Sequence, residues 1–108
     1  MIDDVSTIWQ TKLPRQFVEV LLSMNSKSDM QNFLRDVLTE KEIIEISARL
    51  EAARMLASGE KYTAITAKTK LSSRTVARIS DWLQNGCNGY QAALKTLQHS
   101  HTPPARAE

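Results

Sequence analysis

The residues best suited to chemistry are basic and hydroxyl side chains concentrated in one fifth of the chain, between Glu60 and Ile79. This segment carries five cations against one acid, a local charge of +4, whereas all 108 residues together carry +2. The five cations are Lys61, Lys68, Lys70, Arg74 and Arg78. Basic side chains bind phosphate, and arginine and short hydroxyl side chains also bind base edges in the major groove. The pattern therefore favours a nucleic-acid-binding surface, with a merely solvated helical face as the alternative.

The segment from Lys61 to Leu83 has the pattern of a helix-turn-helix. We predict a first helix over about Thr63 to Thr69 and a second over about Ser73 to Gln84. The Leu71 side chain would pack beneath the turn. The Ser72 hydroxyl would cap the second helix by accepting a backbone N–H. Such a motif places the N-terminal part of its second helix in the major groove of DNA. The side chains expected to face inward are Ile65, Thr66, Val76, Ile79 and Leu83.

The opposite face of this motif supplies the candidate DNA contacts. They are Lys68, Lys70, Ser72, Ser73, Arg74, Thr75, Ala77 and Arg78. Lys70 stands in the turn where such motifs usually have glycine, so a positive φ there would cost about 1 kcal/mol. The lysine could recover part of that cost by reaching a phosphate.

The rest of the chain is expected to be helical because glycine and proline do not interrupt its apolar segments. We predict helices from Pro14 to about Met24, from Asp29 to Val37, from Thr39 to about Ser58 and from Tyr90 to His99. The fold class is therefore all-α, with five to six helices in one domain over residues 1–99. Residues 100–108, which include two adjacent prolines, are expected to form a disordered tail.

The helix after Thr39 has the clearest boundaries. Thr39 and Glu42 form a capping box, in which each residue satisfies a backbone N–H of the other. Gly59 supplies the stop at the other end. The apolar positions Ile43, Ile46, Leu50, Ala53 and Leu56 form one stripe, so this helix should be the central packing element.

Catalytic and metal chemistry are not indicated. Cys87 is the single cysteine, and the two histidines, His99 and His101, lie in the expected tail, so no zinc-site spacing is present. No phosphate-binding glycine-rich loop occurs, and no serine or cysteine has an ordered histidine to activate it. Trp9 and Trp82 are interpreted as packing residues, with support of a dimer face as the alternative for Trp82. The N-terminus lacks the pattern of a secretory signal, so a reducing cytoplasm is expected.

A set of motifs outside and inside the helix-turn-helix points to one family. They are Leu38-Thr39-Glu40-Lys41-Glu42 opening a long helix, Arg49 ten residues after the threonine, Gly59 ending the helix, and Thr75-Val76-Ala77-Arg78 in the second motif helix. With these, the chain from Phe33 to about Gly89 resembles the Trp repressor family and is most similar to its YerC/YecD-type branch. The resemblance implies an intertwined all-helical homodimer that regulates transcription, most simply as a repressor, by binding operator DNA.

The same resemblance implies a corepressor pocket, in which L-tryptophan sets the reading head in that family. The positions that match are Thr39, Arg49, Thr75 and Arg78. Ile79 follows where tryptophan-responsive members have a glycine that leaves space for the indole, so it should fill that slot. Alternatively, Arg49 could pair with Glu45 or Glu51. We therefore expect no required cofactor, with L-tryptophan or another small carboxylate as the candidate effector.

Chain length favours a homodimer independently of the resemblance. A short chain with several apolar helix faces lacks internal partners to cover them. A two-fold dimer would place two reading heads about 34 Å apart on a near-palindromic operator. The alternatives are a helical protein-interaction module that does not bind DNA, and a replication-initiator-like DNA-binding domain.

Overall fold

A computed structural model describes residues 7–101, of which residues 12–101 contain six α-helices and no strand. The helices are α1 (Lys12–Ser23), α2 (Lys27–Val37), α3 (Glu40–Ala57), α4 (Tyr62–Thr69), α5 (Ser73–Asn85) and α6 (Gly89–His101). The all-α prediction is confirmed. Helix α6 extends two residues beyond the predicted end at His99, and residues 102–108 of the expected tail lie outside the described part.

Helix boundaries follow from local caps. The Thr39 N–H donates to Glu42 Oε1 at 2.9 Å, and the Glu42 N–H donates to Thr39 Oγ1 at 3.1 Å, so the predicted capping box is present. Helix α2 begins at Lys27 rather than Asp29, because the Ser26 hydroxyl accepts the Asp29 N–H and makes Ser26 the N-cap. Side-chain acceptors thus decide where both helices start.

The end of α3 depends on Gly59. Its φ is 81°, and the Glu60 N–H donates back to the Met55 carbonyl at 3.0 Å. This is the left-handed termination that glycine favours, because it carries no Cβ. The predicted stop is confirmed.

The chain divides between Glu45 and Ile46, inside α3, into two compact units. In the first unit, the Phe17 and Phe33 rings join α1 and α2 with centroids 6.2 Å apart. None of residues 7–45 is fully buried in the single chain, and Leu13 and Leu22 are more than two-thirds exposed. This unit leaves much apolar surface in water. The expectation of one domain over residues 1–99 stays a prediction.

The second unit contains a small buried core. It is formed by Ala52, Ala53, Met55, Ile65, Val76 and Ile79, with Leu56, Leu71, Leu83, Tyr90 and Leu94 packed against it. The predicted stripe of α3 is thus only partly buried: Ala53 is inside, but Ile46 is 54% exposed. The reason is that the small side chains of Ala52 and Ala53 face the motif, while Ile46 lies one to two turns earlier. The helix-turn-helix segment therefore packs against the C-terminal half of α3.

Candidate nucleic-acid interface

Helices α4 and α5 form the predicted helix-turn-helix. Lys70, the C-cap of α4, has φ 64° and ψ 13°, so the turn does adopt the left-handed conformation at a non-glycine residue. Ser72 caps α5 by accepting the Thr75 N–H at 3.1 Å. The two short helices are joined as the sequence predicted, and the N-terminus of α5 is fixed by its own side chain.

Hydrogen bonds from Thr69 stabilise the turn. Its hydroxyl donates to the Ile65 carbonyl at 2.7 Å and accepts the Leu71 N–H at 3.3 Å. The Lys70 N–H donates to the Thr66 carbonyl at 2.9 Å, which closes the last turn of α4. Sequence reasoning missed Thr69. A threonine at the last helical position before a turn was the available signal, since threonine hydroxyls bond local carbonyls.

The inward side of the motif is as expected. Ile65 and Val76 have no exposed surface, and Ile79 is 1% exposed. Leu71 and Leu83 are half-buried against the same core. Thr66 is half-buried, with its hydroxyl bonded to the Thr63 carbonyl. Because three large side chains of the two helices are buried together, the orientation of α5 relative to α4 is set by packing.

The outward side of α5 presents the candidate base and phosphate contacts. Arg74 and Arg78 are both exposed and lie one turn apart on the same helix face. Ser73 and Ala77, also exposed, lie beside them and leave room for a base edge. Two arginines with short neighbours on a rigid helix can bind guanine edges or phosphates.

The remaining candidate contacts surround the N-terminus of α5. Lys70 and Ser72 are exposed. Thr75 is half-buried, and its hydroxyl shares a 3.1 Å hydrogen bond with the Ser72 hydroxyl, so it supports the cap. A helix N-terminus with nearby cations attracts phosphate through its free N–H groups and its dipole.

Lys68 differs from the other cations because it binds a carboxylate of the long helix. Its Nζ lies 3.0 Å from Glu51 Oε2. Arg54 binds the same carboxylate through two hydrogen bonds, from Nε to Oε1 at 2.9 Å and from its terminal nitrogen to Oε2 at 2.7 Å. These three residues, the Glu51 cluster, connect α3 to α4.

The Glu51 cluster is electrostatically strong. The Arg54 hydrogen bonds, opposed by partial desolvation and aided by Lys68, lower the pKa of Glu51 from 4.5 to about 2. The pKa of the Arg54 guanidinium is raised, chiefly by its hydrogen bonds to Glu51. Glu51 is therefore fully ionised at neutral pH, and its charge competes with a phosphate for the Lys68 ammonium group. Helical spacing predicts the pairing of Arg54 with Glu51, three residues apart, but no spacing predicts that of Lys68 with Glu51.

The residues matched to a corepressor pocket occupy different environments. Ile79 is in the core, and Thr39 caps α3 in the first unit. Arg49 lines a groove of about 490 Å³. The other lining residues are Ile46, Leu50, Trp82, Cys87, Gly89, Tyr90 and Ala93. Thr75 and Arg78 do not line this groove, so the second unit does not gather the three polar candidates Arg49, Thr75 and Arg78 around it.

Trp82 departs from its interpretation as a packing residue. It is 47% exposed and forms one wall of that groove. Cys87 also lines the groove; it is exposed and forms no disulfide. Within residues 7–101, no three side chains of histidine, cysteine, aspartate and glutamate gather as a metal site, and no helix could cross a membrane.

Comparison with known proteins gives one consistent result. The family model described as Trp repressor protein matches residues 12–98. The uncharacterised protein YerC of Bacillus subtilis (strain 168) is 32% identical over 87 residues, which cover 81% of this chain and 84% of that protein.

Solved structures agree. A TrpR-like protein from Eubacterium eligens ATCC 27750 has a TM-score of 0.78 and 31% identity, covering 84% of this chain and 94% of its own. A candidate Trp repressor from Staphylococcus aureus has a TM-score of 0.71 and 26% identity, covering 77% of this chain and 83% of its own.

Proposed function

This chain belongs to the Trp repressor protein family, and from that premise we propose that it is a sequence-specific DNA-binding transcriptional regulator. One observation carries the proposal: Arg74 and Arg78 project from a capped helix whose opposite side, Val76 and Ile79, is completely packed. A reading helix must hold its side chains in register with base edges, and a buried anchoring face achieves that.

The proposed contacts divide by chemistry. Arg74 and Arg78 would bind base edges or adjacent phosphates, with Ser73 and Ala77 allowing close approach. Lys70 and the N-terminus of α5 around Ser72 and Thr75 would bind phosphate. Lys68 is the weakest candidate, because its ammonium group already binds Glu51.

The proposed active form is a homodimer. Ten large apolar side chains in the described chain are exposed, among them Leu13, Leu22 and Ile44. Leaving such side chains in water is costly, at roughly 25 cal/mol for each Å² of apolar surface that a partner could have covered. Association with a second copy would cover them and would present two α5 helices to a near-palindromic operator.

A small effector is not required in this proposal. Ile79, at the position where a glycine would leave space for an indole, is 1% exposed and belongs to the buried core together with Ala52 and Ala53. The reading helix is thus packed without a ligand. L-Tryptophan or another small carboxylate remains the effector to test, with Arg49 as its candidate partner. The proposal places the protein in the cytoplasm and assigns it no enzymatic activity.

The experiment that tests the proposal is selection of the purified protein on randomised duplex DNA at near-physiological salt, with and without L-tryptophan. Enrichment of a near-palindrome without tryptophan is expected. Analytical ultracentrifugation at micromolar concentration should give the mass of a dimer. Weak binding that shows no sequence preference in either condition would contradict the proposal and favour a helical protein-interaction module. A non-palindromic site bound by a monomer would favour a replication-initiator-like domain.

A further inference from the structure

The connection between α5 and α6 contains two asparagine-glycine pairs only three residues apart. Asn85 precedes Gly86, and Asn88 precedes Gly89. Asparagine before glycine is prone to deamidation, because the small glycine lets its backbone nitrogen reach the asparagine side chain. From the sequence alone, the two pairs should be equally prone to deamidation. In the structure, their surroundings differ.

In the first pair, hydrogen bonds hold both the side-chain amide that would be attacked and the backbone nitrogen that would attack it. The Asn85 side-chain Nδ2 donates to Asp81 Oδ1 at 3.0 Å, which holds the amide away from its own backbone. The Gly86 N–H, which would be the nucleophile, donates to the Trp82 carbonyl at 2.9 Å. Gly86 is also crowded, since a Cβ on it would lie 2.5 Å from that carbonyl oxygen. Ring closure at Asn85 must therefore break two hydrogen bonds.

The second pair, Asn88 and Gly89, is not held in this way. Asn88 and Gly89 are both exposed, and Asn88 has a φ of 67°, outside any helix. Gly89 is the first residue of α6, where N–H groups have no acceptor within the helix. A Cβ on Gly89 would meet no other part of the described chain within 4 Å, apart from its chain neighbours and its own helix backbone. The Asn88 carbonyl accepts the Ala92 N–H at 3.1 Å, but within residues 7–101 no hydrogen bond holds the Asn88 side chain or the Gly89 N–H.

We propose that Asn88 is a site of spontaneous deamidation in the folded protein and that Asn85 is protected. The Gly89 nitrogen attacks Cγ of Asn88 and forms an N–Cγ bond. The Cγ–Nδ2 bond breaks, and the amide nitrogen leaves as ammonia with the proton that was on the Gly89 nitrogen. Water then adds to one of the two carbonyls of the resulting succinimide and opens it, giving aspartate or an isoaspartyl linkage.

The product carries a charge that the original chain lacks. The formal net charge falls from +2 to +1 with each event at Asn88. The new carboxylate lies at the start of α6, and Gly89 and Cys87 on either side of it line the groove that contains Arg49. Aspartate there interacts favourably with the helix dipole, whereas an isoaspartyl linkage adds a backbone carbon before α6. Deamidation of Asn88 thus slowly changes the surface charge beside that groove.

The test is prolonged incubation of the full chain at mildly alkaline pH, native and in urea, followed by peptide mass spectrometry. Trypsin yields one peptide, residues 79–95, that contains both asparagines, and fragmentation between them localises the product. Two hydrogen bonds of ordinary strength should slow Asn85 on the order of tenfold relative to Asn88 in the native protein. In urea the two rates should be similar.

Gly89→Ala is the matched variant. It has room for the added methyl group, and its side chain should slow the reaction at Asn88 without affecting the fold. Equal rates in the native protein, faster reaction at Asn85, absence of product at Asn88, or an unchanged rate in Gly89→Ala would each overturn the proposal. None of these outcomes depends on whether the protein binds DNA.

Discussion

Replacing Glu51 by glutamine should destabilise the protein at neutral pH and have little effect in strong acid. The substitution keeps the size of the side chain but removes the charge that Arg54 and Lys68 share. Both cations would then lose their ionic partner, and the connection between α3 and α4 would weaken. The perturbation therefore tests whether the Glu51 cluster contributes to folding.

The magnitude follows from the pKa of Glu51, which is about 2 in the folded chain against 4.5 ordinarily. Without solvent screening this difference would correspond to about 3 kcal/mol. The side chains of Lys68 and Arg54 are 61% and 42% exposed, so water screens much of it. We expect a loss of about 1 kcal/mol in the free energy of unfolding.

The pH dependence has a defined sign. Because folding lowers the pKa of Glu51, its contribution is complete above about pH 4.5 and disappears as the pH falls through about 2. Urea unfolding followed by circular dichroism at pH 7 and at successively lower pH should show the wild type and Glu51→Gln converging. A double-mutant cycle with Lys68→Met isolates the contribution of that ion pair.

Glu19→Gln, on the exposed face of α1, is the control for loss of a carboxylate in general. If Glu51→Gln is as stable as the wild type at pH 7, or if its deficit persists unchanged in acid, the ion-pair reasoning is wrong. A deficit equal to that of Glu19→Gln would have the same meaning.

Three further predictions concern the motif. Arg74→Ala and Arg78→Ala should each weaken binding to the selected operator by about 1 to 3 kcal/mol if the arginine reads a base, as measured by fluorescence anisotropy; unchanged affinity in both would show that α5 does not read DNA. Lys70→Gly should raise the free energy of unfolding by about 1 kcal/mol, because glycine adopts the positive φ of this turn without strain. If Lys70 binds phosphate, the same substitution should reduce the salt slope of DNA binding by about one unit. A lower stability in urea unfolding would refute the strain argument. Ile65→Ala should cost about 2 to 5 kcal/mol by leaving a cavity in the core, and a thermal unfolding midpoint equal to that of the wild type would contradict the assigned core.

The sequence by itself determined the helices and the motif. Helix starts at Thr39 and Ser72 and the stop at Gly59 depend on hydrogen bonds between residues at most five positions apart, so the local sequence contains everything needed to predict them. The inward face of the motif, including Ile65 and Val76, followed from helical spacing. Positive φ at Lys70 was expected because it stands in the turn where such motifs usually have glycine.

Only the tertiary structure decided which side chains meet across helices. The pairing of Lys68 with Glu51 joins residues 17 positions apart on different helices, and no periodic pattern encodes it. Burial of Ala52 and Ala53 while Ile46 stays exposed depends on where α4 and α5 approach α3. The two asparagine-glycine pairs, by contrast, differ through contacts within one segment, because Asp81 and Trp82 belong to the same helix as Asn85. Capping is a short-range hydrogen bond within one segment, whereas the pairing of Lys68 with Glu51 and the burial of Ala52 and Ala53 depend on the distance between segments that the fold brings together.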